Sequence, residues 1–268
     1  MATASLSLSL ITPRNKQPPQ PHAPSLLFVS QLSTHLLNSV HVPSTATGGF
    51  VQSTPQRSRR GRTLLLKPVA SAMTTGFSSD IGDALGVIEI FRASGESVAF
   101  KDLWDQQQGV AVVALLRHFG CPCCWELAAE LKKVKHRFDS AGVKLIAVGV
   151  GTPEKAQLLA DRLPFPTDCL YADPDRKAYN LFDLYYGFGR TFFNPASRKV
   201  LSRFDAIKKA TENYTIEATP TDRSSVLQQG GMFVFKSKRL LYARKDEGTG
   251  DHASLEEVFD ICCNVHIA

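Results

Sequence analysis

Acidic residues are absent from the first 79 positions of this 268-residue chain, and the earliest carboxylate is that of Asp80. The same stretch holds seven basic residues, is rich in serine and proline, and begins Met-Ala, a composition typical of a plastid transit peptide. A secretory signal fits poorly because there is neither an early basic region nor a compact apolar core. We predict a disordered plastid transit peptide over residues 1–75 and one folded domain over residues 80–268, with the chloroplast stroma as its location.

Two further absences exclude whole classes of function. No apolar run approaches the roughly 18 residues that a membrane span requires, and the longest, residues 110–116, has the length of a buried strand. Excess positive charge is missing from the folded part, because residues 80–268 hold 24 basic and 25 acidic side chains. A nucleic-acid-binding domain needs basic residues concentrated on its folded surface. We therefore expect no nucleic-acid partner and no membrane span.

Cysteine is confined to three places in the predicted folded part of the chain. The six residues are Cys121, Cys123, Cys124, Cys169, Cys262 and Cys263. A secreted disulfide scaffold spreads its cysteines along a short chain, so this clustering argues against that class. It indicates redox or metal chemistry instead.

The apolar pattern from residue 110 onward alternates between strands and helices, which predicts parallel strands joined by right-handed crossovers. A hairpin and a last helix complete a thioredoxin-like α/β fold, with a central mixed sheet flanked by helices and an extra helix and loop insertion around residues 184–229. Strands are predicted at residues 87–91, 98–100, 110–116, 143–148, 169–171, 232–235 and 240–244. Helices are predicted at residues 101–107, 122–141, 153–163, 175–182 and 253–263, with another from Asn194 that places Val200, Phe204 and Ile207 on one face.

The segment between strand 110–116 and the following amphipathic helix carries the chemistry. Pro122 is favoured at the first helical position, so Cys121 is predicted to be the N-cap. A sulfur there faces unpaired backbone N–H groups and the positive end of the helix dipole, which favour the reactive thiolate. Arg117, four residues earlier at the strand end, is predicted to add positive charge.

Cys124 lies one helical turn beyond Cys121 and extends the apolar stripe of residues 127, 131, 134 and 138. It is therefore expected to point inward, while Cys121 is exposed. An exposed attacking thiol with a shielded thiol three residues later is the arrangement that a dithiol–disulfide cycle needs. Cys123 lies off the stripe and is interpreted as incidental.

At this point the chain resembles the peroxiredoxin-like AhpC/TSA antioxidant-enzyme family of thioredoxin-fold proteins, in particular its chloroplastic thioredoxin-like members, over about residues 80–265. The matching pieces are Arg117-His118-Phe119-Gly120-Cys121 with Cys124, Gln228-Gln229-Gly230-Gly231 before a strand, and Gly250-Asp251-His252 before the last helix. The resemblance implies a thioredoxin fold and a redox or antioxidant activity on a peroxide-type substrate. The chain departs from typical peroxiredoxins at His118, where they have threonine or serine.

The leading hypothesis is a thiol oxidoreductase with an antioxidant role. The Cys121 thiolate attacks a small-molecule peroxide or a protein disulfide, Cys124 resolves the product, and plastid thioredoxin or glutathione reduces the resulting bridge. This cycle requires no bound cofactor and no metal.

Two alternatives stay open. The first is a redox sensor or binding module of the same fold that forms the disulfide but turns over poorly, and His118 is the feature that favours it. The second is a metal site made by Cys121, Cys123 and Cys124, with Cys262 or Cys263 and His266 as further ligands, since thiolate clusters suit Zn²⁺ or Cu⁺.

The remaining candidates receive structural interpretations. Cys169, Cys262 and Cys263 are predicted to be packing residues. Asp251 and His252 are predicted to cap the last helix or form a turn, with proton transfer by His252 as the alternative. An aromatic set is predicted to fill gaps in the core: Tyr185, Tyr186, Phe188, Phe192 and Phe193.

Overall fold

The computed structural model describes residues 76–265, so the predicted transit peptide lies outside the described part of the chain. The strands are β1 (Glu89–Arg92), β2 (Ser97–Ala99), β3 (Val110–His118), β4 (Val143–Val150), β5 (Leu170–Ala172), β6 (Gly231–Lys236) and β7 (Arg239–Lys245). The α-helices are α1 (Ile81–Gly86), α2 (Pro122–Ser140), α3 (Pro153–Arg162), α4 (Lys177–Leu181), α5 (Phe188–Phe192), α6 (Phe204–Ala210) and α7 (Leu255–Val265). Between residues 76 and 265 every helix is too short or too polar to cross a bilayer.

The strands form one mixed sheet in the order β2-β1-β5-β4-β3-β6-β7. β3 pairs in parallel with β4, and β4 with β5, as helical crossovers require. β6 pairs antiparallel with both β3 and β7, and α7 follows this hairpin. The topology confirms the predicted thioredoxin-like fold, with β3 at the centre of the sheet.

Burial explains why β3 reads as an unbroken apolar run. Its side chains alternate between two separate hydrophobic clusters, one on each face of the sheet, so that Val112 and Ala114 join one cluster and Val113 and Leu115 the other. All nine residues of the strand are buried. The polar residues at its carboxyl end are therefore delivered into the interior.

Helix α2 covers one face of the sheet with the predicted stripe. Leu131 and Phe138 are fully buried, whereas Lys133 on the opposite side is exposed. The helix begins at Pro122 and ends at Ser140, and Gly142 follows with a φ of +68°, a conformation that glycine adopts without strain. The predicted stop at residues 141–142 is confirmed.

The prediction of a helix at residues 101–107 is wrong. Only residues 100–102 form a single 3₁₀ turn. The chain beyond them packs against the β6–β7 hairpin instead of continuing as a helix. Trp104 is buried and its indole Nε1 donates to the carbonyl of Ser237 at 2.9 Å. The Asp105 carboxylate accepts from the backbone N–H of Gln107 at 2.8 Å, which favours a turn over a helix. Helix α1 was not predicted.

The insertion at residues 184–229 is present but differs in detail from its prediction. A 3₁₀ segment over Pro195–Arg203 runs directly into α6. Because the number of residues per turn changes at this junction, Val200 and Ile207 pack against the core while Phe204 is exposed. The expectation that all three share one face is wrong. Short 3₁₀ turns at Ile216–Ala218 and Ser225–Leu227 occupy the predicted loop.

The aromatic set also departs from its prediction. Most of its members are exposed rather than filling the core: Tyr186 by 48 %, Phe188 by 60 %, Phe192 by 59 % and Phe193 by 75 %. Only Tyr185 is partly buried.

We predict that Leu131→Ala lowers the free energy of unfolding by about 2 to 5 kcal/mol, since it empties a fully buried site between α2 and the sheet. Urea denaturation followed by circular dichroism measures the change. Lys133→Ala, two residues away on the exposed side of α2, is the control and is expected to change stability by less than about 0.5 kcal/mol. Equal effects of the two substitutions would contradict the assigned burial of α2.

Candidate active site

Cys121 occupies the predicted position at the start of α2. It is the N-cap residue with extended backbone angles (φ −88°, ψ 120°), and Pro122 follows at the first helical position. Its carbonyl accepts from the backbone N–H groups of Cys124 and Trp125. The sulfur, however, makes no capping hydrogen bond with the helix backbone. Any hydrogen bonds that stabilise its thiolate must therefore come from donors other than the backbone N–H groups of the helix.

Arg117 supplies the charge beside Cys121. Its Nη1 lies 3.3 Å from the Cys121 Sγ, and the side chain is 4 % exposed. The other guanidinium nitrogens are held by the insertion, because Nε donates to the carbonyl of Gln228 at 3.0 Å and Nη2 to that of Val226 at 2.7 Å. The predicted proximity of Arg117 to the thiol is confirmed, and its orientation is fixed by two backbone acceptors.

Cys124 lies deeper than Cys121, as predicted. Its side chain has no exposed area, and its Sγ accepts a hydrogen bond from the backbone N–H of Arg117 at 3.2 Å. Burial is the main reason that the pKa of Cys124 lies well above its ordinary value. Its hydrogen bond to Cys121 and the negative charge of Cys121 raise this pKa further. Cys124 is therefore the protonated partner of the pair.

The three neighbouring thiols act as one electrostatic unit. The pKa of Cys121 lies well below its ordinary value because Cys123 and Cys124 donate hydrogen bonds to its sulfur; burial opposes this, and the charge of Arg117 adds to it. The pKa of Cys123 is raised in turn by its hydrogen bond to Cys121. The structure thus brings Cys123, interpreted from the sequence as incidental, into the cluster.

Exposure of Cys121 is the part of the prediction that the structure contradicts. Its side chain is only 3 % exposed because the insertion covers the turn at residues 118–121. The hydroxyl of Tyr214 donates to the carbonyl of Gly120 at 2.7 Å. Thr219 packs so closely on Gly120 that a Cβ there would lie 2.5 Å from the Thr219 backbone.

The same cover extends over the first turn of α2. Arg203 lies 3.0 Å (Nε to Oε1) from the buried Glu126, and its Nη2 donates to the carbonyl of Gly250 at 2.7 Å. Gly250 has a φ of +75° and no room for a side chain, since a Cβ would lie 2.5 Å from Val200 and 3.3 Å from the Cys123 Sγ. Gly250 therefore permits the close approach of three segments around the thiols.

His118 is a buried residue of the turn that leads to Cys121. Its side chain is 6 % exposed, and its Nδ1 has no hydrogen-bond partner. Burial lowers its pKa, opposed by the negative charge of Cys121, and so favours the neutral ring. A neutral imidazole at this position has one ring nitrogen free to form a further hydrogen bond.

His252 and Asp246 form a second buried pair behind the thiols. The Nδ1 of His252 lies 3.1 Å from the Asp246 Oδ2, and its Nε2 lies 3.1 Å from the carbonyl oxygen of Cys123. Burial works to lower the pKa of His252, but the hydrogen bond and charge of Asp246 outweigh it, so the pKa is raised. His252 thus braces the first turn of α2, whereas its predicted role was to cap α7 or form a turn. Asp251 accepts from Lys199 and Arg244.

Cys169 and Cys262 lie outside this group of three thiols, and Cys263 is partly exposed. Burial raises the pKa of both Cys169 and Cys262 to about 12, as expected for packing residues. Among residues 76–265, no three or more histidine, cysteine, aspartate or glutamate side chains are arranged to hold a metal ion. His266, a ligand in the metal alternative, lies outside the described residues.

Several residues of the site carried no signal in the sequence. Tyr214 lies in a stretch read as loop, and nothing in its spacing connects it to Gly120. Trp125 follows the cysteines on α2, where its fully buried indole donates to the carbonyl of Phe119 at 2.6 Å and fixes the turn. The Gln228-Gln229 motif did mark the segment that holds Arg117.

The chain is similar to several known proteins. The profile of the "AhpC/TSA antioxidant enzyme" family matches residues 130–248, a range that begins after Cys124. "Thioredoxin-like protein AAED1, chloroplastic" of Arabidopsis thaliana is 28 % identical over 85 % of this chain and 92 % of its own. "Prostamide/prostaglandin F synthase" of Sus scrofa is 30 % identical over 63 % of this chain and 81 % of its own. Among solved structures, peroxiredoxin 6 of Arenicola marina has a TM-score of 0.47 at 13 % identity, covering 71 % of this chain and 74 % of its own.

We predict that reduced protein retains the ultraviolet absorbance of one thiolate at pH values below the ordinary thiol pKa of about 8.5, because the pKa of Cys121 is lowered. Arg117→Met removes the neighbouring charge and raises this pKa, so the absorbance is lost at a higher pH during acid titration. Arg117→Lys, which keeps the charge on a shorter donor, is expected to fall between Arg117→Met and the parent.

Two controls assign the signal. Cys121→Ser is expected to abolish it, and Arg162→Met, an exposed arginine of α3, is expected to leave the titration unchanged. An Arg117→Met titration that coincides with that of the parent would show that the arginine does not stabilise the thiolate.

Proposed function

Because this chain belongs to the AhpC/TSA antioxidant-enzyme family, we propose that it is a thiol oxidoreductase that reduces a peroxide-type or disulfide substrate through a Cys121/Cys124 cycle. The observation that supports this most strongly is the pairing of opposite thiol states. Arg117 lies 3.3 Å from the sulfur of low pKa, while the protonated thiol of Cys124 adjoins it one helical turn away.

The first step is nucleophilic attack by the Cys121 thiolate. With a hydroperoxide, sulfur bonds to one oxygen as the O–O bond breaks, giving a sulfenic acid and an alcohol after the leaving oxygen takes up a proton. Arg117 stabilises the charge that moves toward that oxygen, and His118 offers a hydrogen bond from its ring. With a disulfide, the same attack yields a mixed disulfide and releases one thiol.

The second step closes the disulfide bridge between Cys121 and Cys124. The Cys124 sulfur attacks the Cys121 sulfur, releasing water from the sulfenic acid or a thiol from the mixed disulfide. Two reducing equivalents from a dithiol such as plastid thioredoxin, or from two molecules of glutathione, then restore both thiols. The cycle balances without any bound cofactor.

A peroxide-type substrate is favoured by the antioxidant-enzyme family to which the chain and its relatives belong. Those named prostamide/prostaglandin F synthase are named for making F-type prostaglandin products, and the similarity extends over 81 % of the Sus scrofa protein. The burial of Cys121 favours a compact apolar peroxide over a bulky protein disulfide, since the residue is only 3 % exposed. A chloroplast stromal location is proposed with it, from the composition of residues 1–79 and the chloroplastic Arabidopsis relative.

The alternative is a redox sensor that forms the bridge but turns over poorly. Two observations favour it: the burial of Cys121 beneath the insertion, and His118 at the place where typical peroxiredoxins have a hydroxyl side chain. Steady-state turnover with excess reductant distinguishes the two functions, because a sensor is oxidised once and then reduces no further substrate.

We predict that Cys121→Ser lowers the rate of alkyl hydroperoxide reduction at least about a hundredfold, since it removes the nucleophile. Cys124→Ser is expected to permit one round of oxidation, leaving a sulfenic acid or a glutathione adduct on Cys121. Turnover is measured with thioredoxin or glutathione as reductant, and the adducts by mass spectrometry of the trapped protein.

Cys169→Ser is the matched control, because it replaces another buried thiol that lies away from the cluster. It is expected to keep full activity and the Cys121–Cys124 bridge. Retention of full activity by Cys121→Ser would exclude the proposed mechanism, and a bridge from Cys121 to Cys123 in the parent would replace Cys124 as the resolving residue.

A further inference from the structure

The insertion concentrates the exposed apolar surface of the domain. Eight large apolar side chains are exposed between residues 76 and 265, and seven of them lie between residues 186 and 216. Five of the seven fall within residues 188–209, which we call the apolar–basic segment: Phe188, Phe192, Phe193, Leu201 and Phe204. Apolar side chains gathered in this way mark an interaction surface more often than singly scattered ones do.

The apolar side chains of the segment form two groups on its outer side. The rings of Phe192 and Phe193 lie 4.7 and 5.7 Å, centroid to centroid, from that of Phe188. Leu201, Phe204 and Lys208 follow at spacings of three and four and are all exposed. The residues between them, such as Val200 and Ile207, pack against the core instead. The segment therefore has one side that faces solvent and one that is buried.

Positive charge is concentrated in the same 22 residues. The segment carries six basic residues and one acidic residue, whereas the remainder of residues 80–268 carries 18 basic and 24 acidic residues. Two of the six are paired with buried carboxylates, Lys199 with Asp251 and Arg203 with Glu126. Arg198, Lys208 and Lys209 are exposed and supply the free positive charge of the segment. The near-zero net charge of the domain is therefore the sum of a basic, aromatic-rich segment and an acidic remainder.

This combination selects one kind of partner. Phenylalanine and leucine side chains that project among lysines and arginines match the boundary of a bilayer, where acyl chains lie beneath negatively charged headgroups. The acidic remainder of the domain is repelled by the same headgroups, which orients the molecule with the segment toward the lipid. We propose that the apolar–basic segment docks this protein on the surface of an anionic membrane.

The docking surface extends the proposed function without depending on it. The inner side of the same segment closes the site, since Arg203 reaches Glu126 and the carbonyl of Gly250 above the thiols. Docking therefore places the cover of Cys121 against the lipid, where apolar hydroperoxides are concentrated. Binding itself involves no thiol, so Cys121→Ser is expected to bind vesicles as the parent does.

The test is co-sedimentation of the full chain with phosphatidylcholine vesicles and with vesicles of mixed phosphatidylcholine and phosphatidylglycerol. We predict binding to the mixed vesicles that weakens as salt is raised. The triple variant Phe188→Ser, Phe192→Ser, Phe193→Ser is expected to bind at least about tenfold more weakly, because it removes three inserting rings. Val87→Ser, which replaces an exposed apolar residue outside the insertion, is the matched control.

A charge pair of variants completes the test. Lys208→Glu with Lys209→Glu is expected to weaken binding about tenfold or more, whereas Lys132→Glu with Lys133→Glu on α2 is expected to have a smaller effect. The basic N-terminal residues are common to all variants, so only differences among variants count. Circular dichroism verifies that each variant is folded.

The outcomes are distinct. Loss of binding in the Phe188 and Lys208 variants, but not in their controls, supports the docking surface whether or not the protein reduces peroxides. Equal binding by all variants, equal binding to neutral and anionic vesicles, or a photoactivatable lipid that labels peptides outside residues 188–209 would overturn it. Self-association abolished by the phenylalanine substitutions, without vesicle binding, would assign the face to a second copy instead.

Discussion

The arrangement of the site depends on the contacts that the buried guanidinium of Arg117 makes. A charge that is only 4 % exposed is costly unless it is compensated, and here two backbone carbonyls and one sulfur surround it. The carbonyls of Val226 and Gln228 are neutral, so the Cys121 thiolate is the group that balances the charge. The same contacts join β3, the start of α2 and the end of the insertion, which explains why the insertion is packed over the cysteines.

The burial of Cys121 follows from this arrangement and limits the chemistry that its sulfur can perform. A buried thiolate beside a fixed positive charge is stabilised by directed donors rather than by water, so little reorganisation is needed when it reacts. The cost is access, because Tyr214 and Thr219 close the approach over Gly120. Substrates must therefore be small enough to enter beneath the insertion, or the insertion must move on binding.

The sequence predicted those features that repeat or that follow local rules. The continuous apolar run identified β3, the stripe from Leu127 to Phe138 identified α2, and Pro122 placed Cys121 at its N-cap. Contacts between distant segments had no such signal: Tyr214 meets Gly120 across 94 residues, and His252 meets the carbonyl of Cys123 across 129. The exposure of Cys121 was wrongly predicted for the same reason, because helix position indicates the direction of a side chain but not what another segment lays over it. The exposed aromatic residues were misread because composition alone does not distinguish core from surface.

One positive charge among three thiols also bears on the order of the two steps in the proposed cycle. While Cys121 is a thiolate it compensates Arg117, and its negative charge and hydrogen bond keep Cys124 protonated. Conversion of Cys121 to a neutral sulfenic acid removes that negative charge and leaves Arg117 uncompensated. Cys124 already accepts a hydrogen bond from the backbone N–H of Arg117, a contact that would stabilise its thiolate. In the proposed cycle we therefore expect oxidation of Cys121 to lower the pKa of Cys124, so that the second thiolate forms only after there is a sulfenic acid for it to attack.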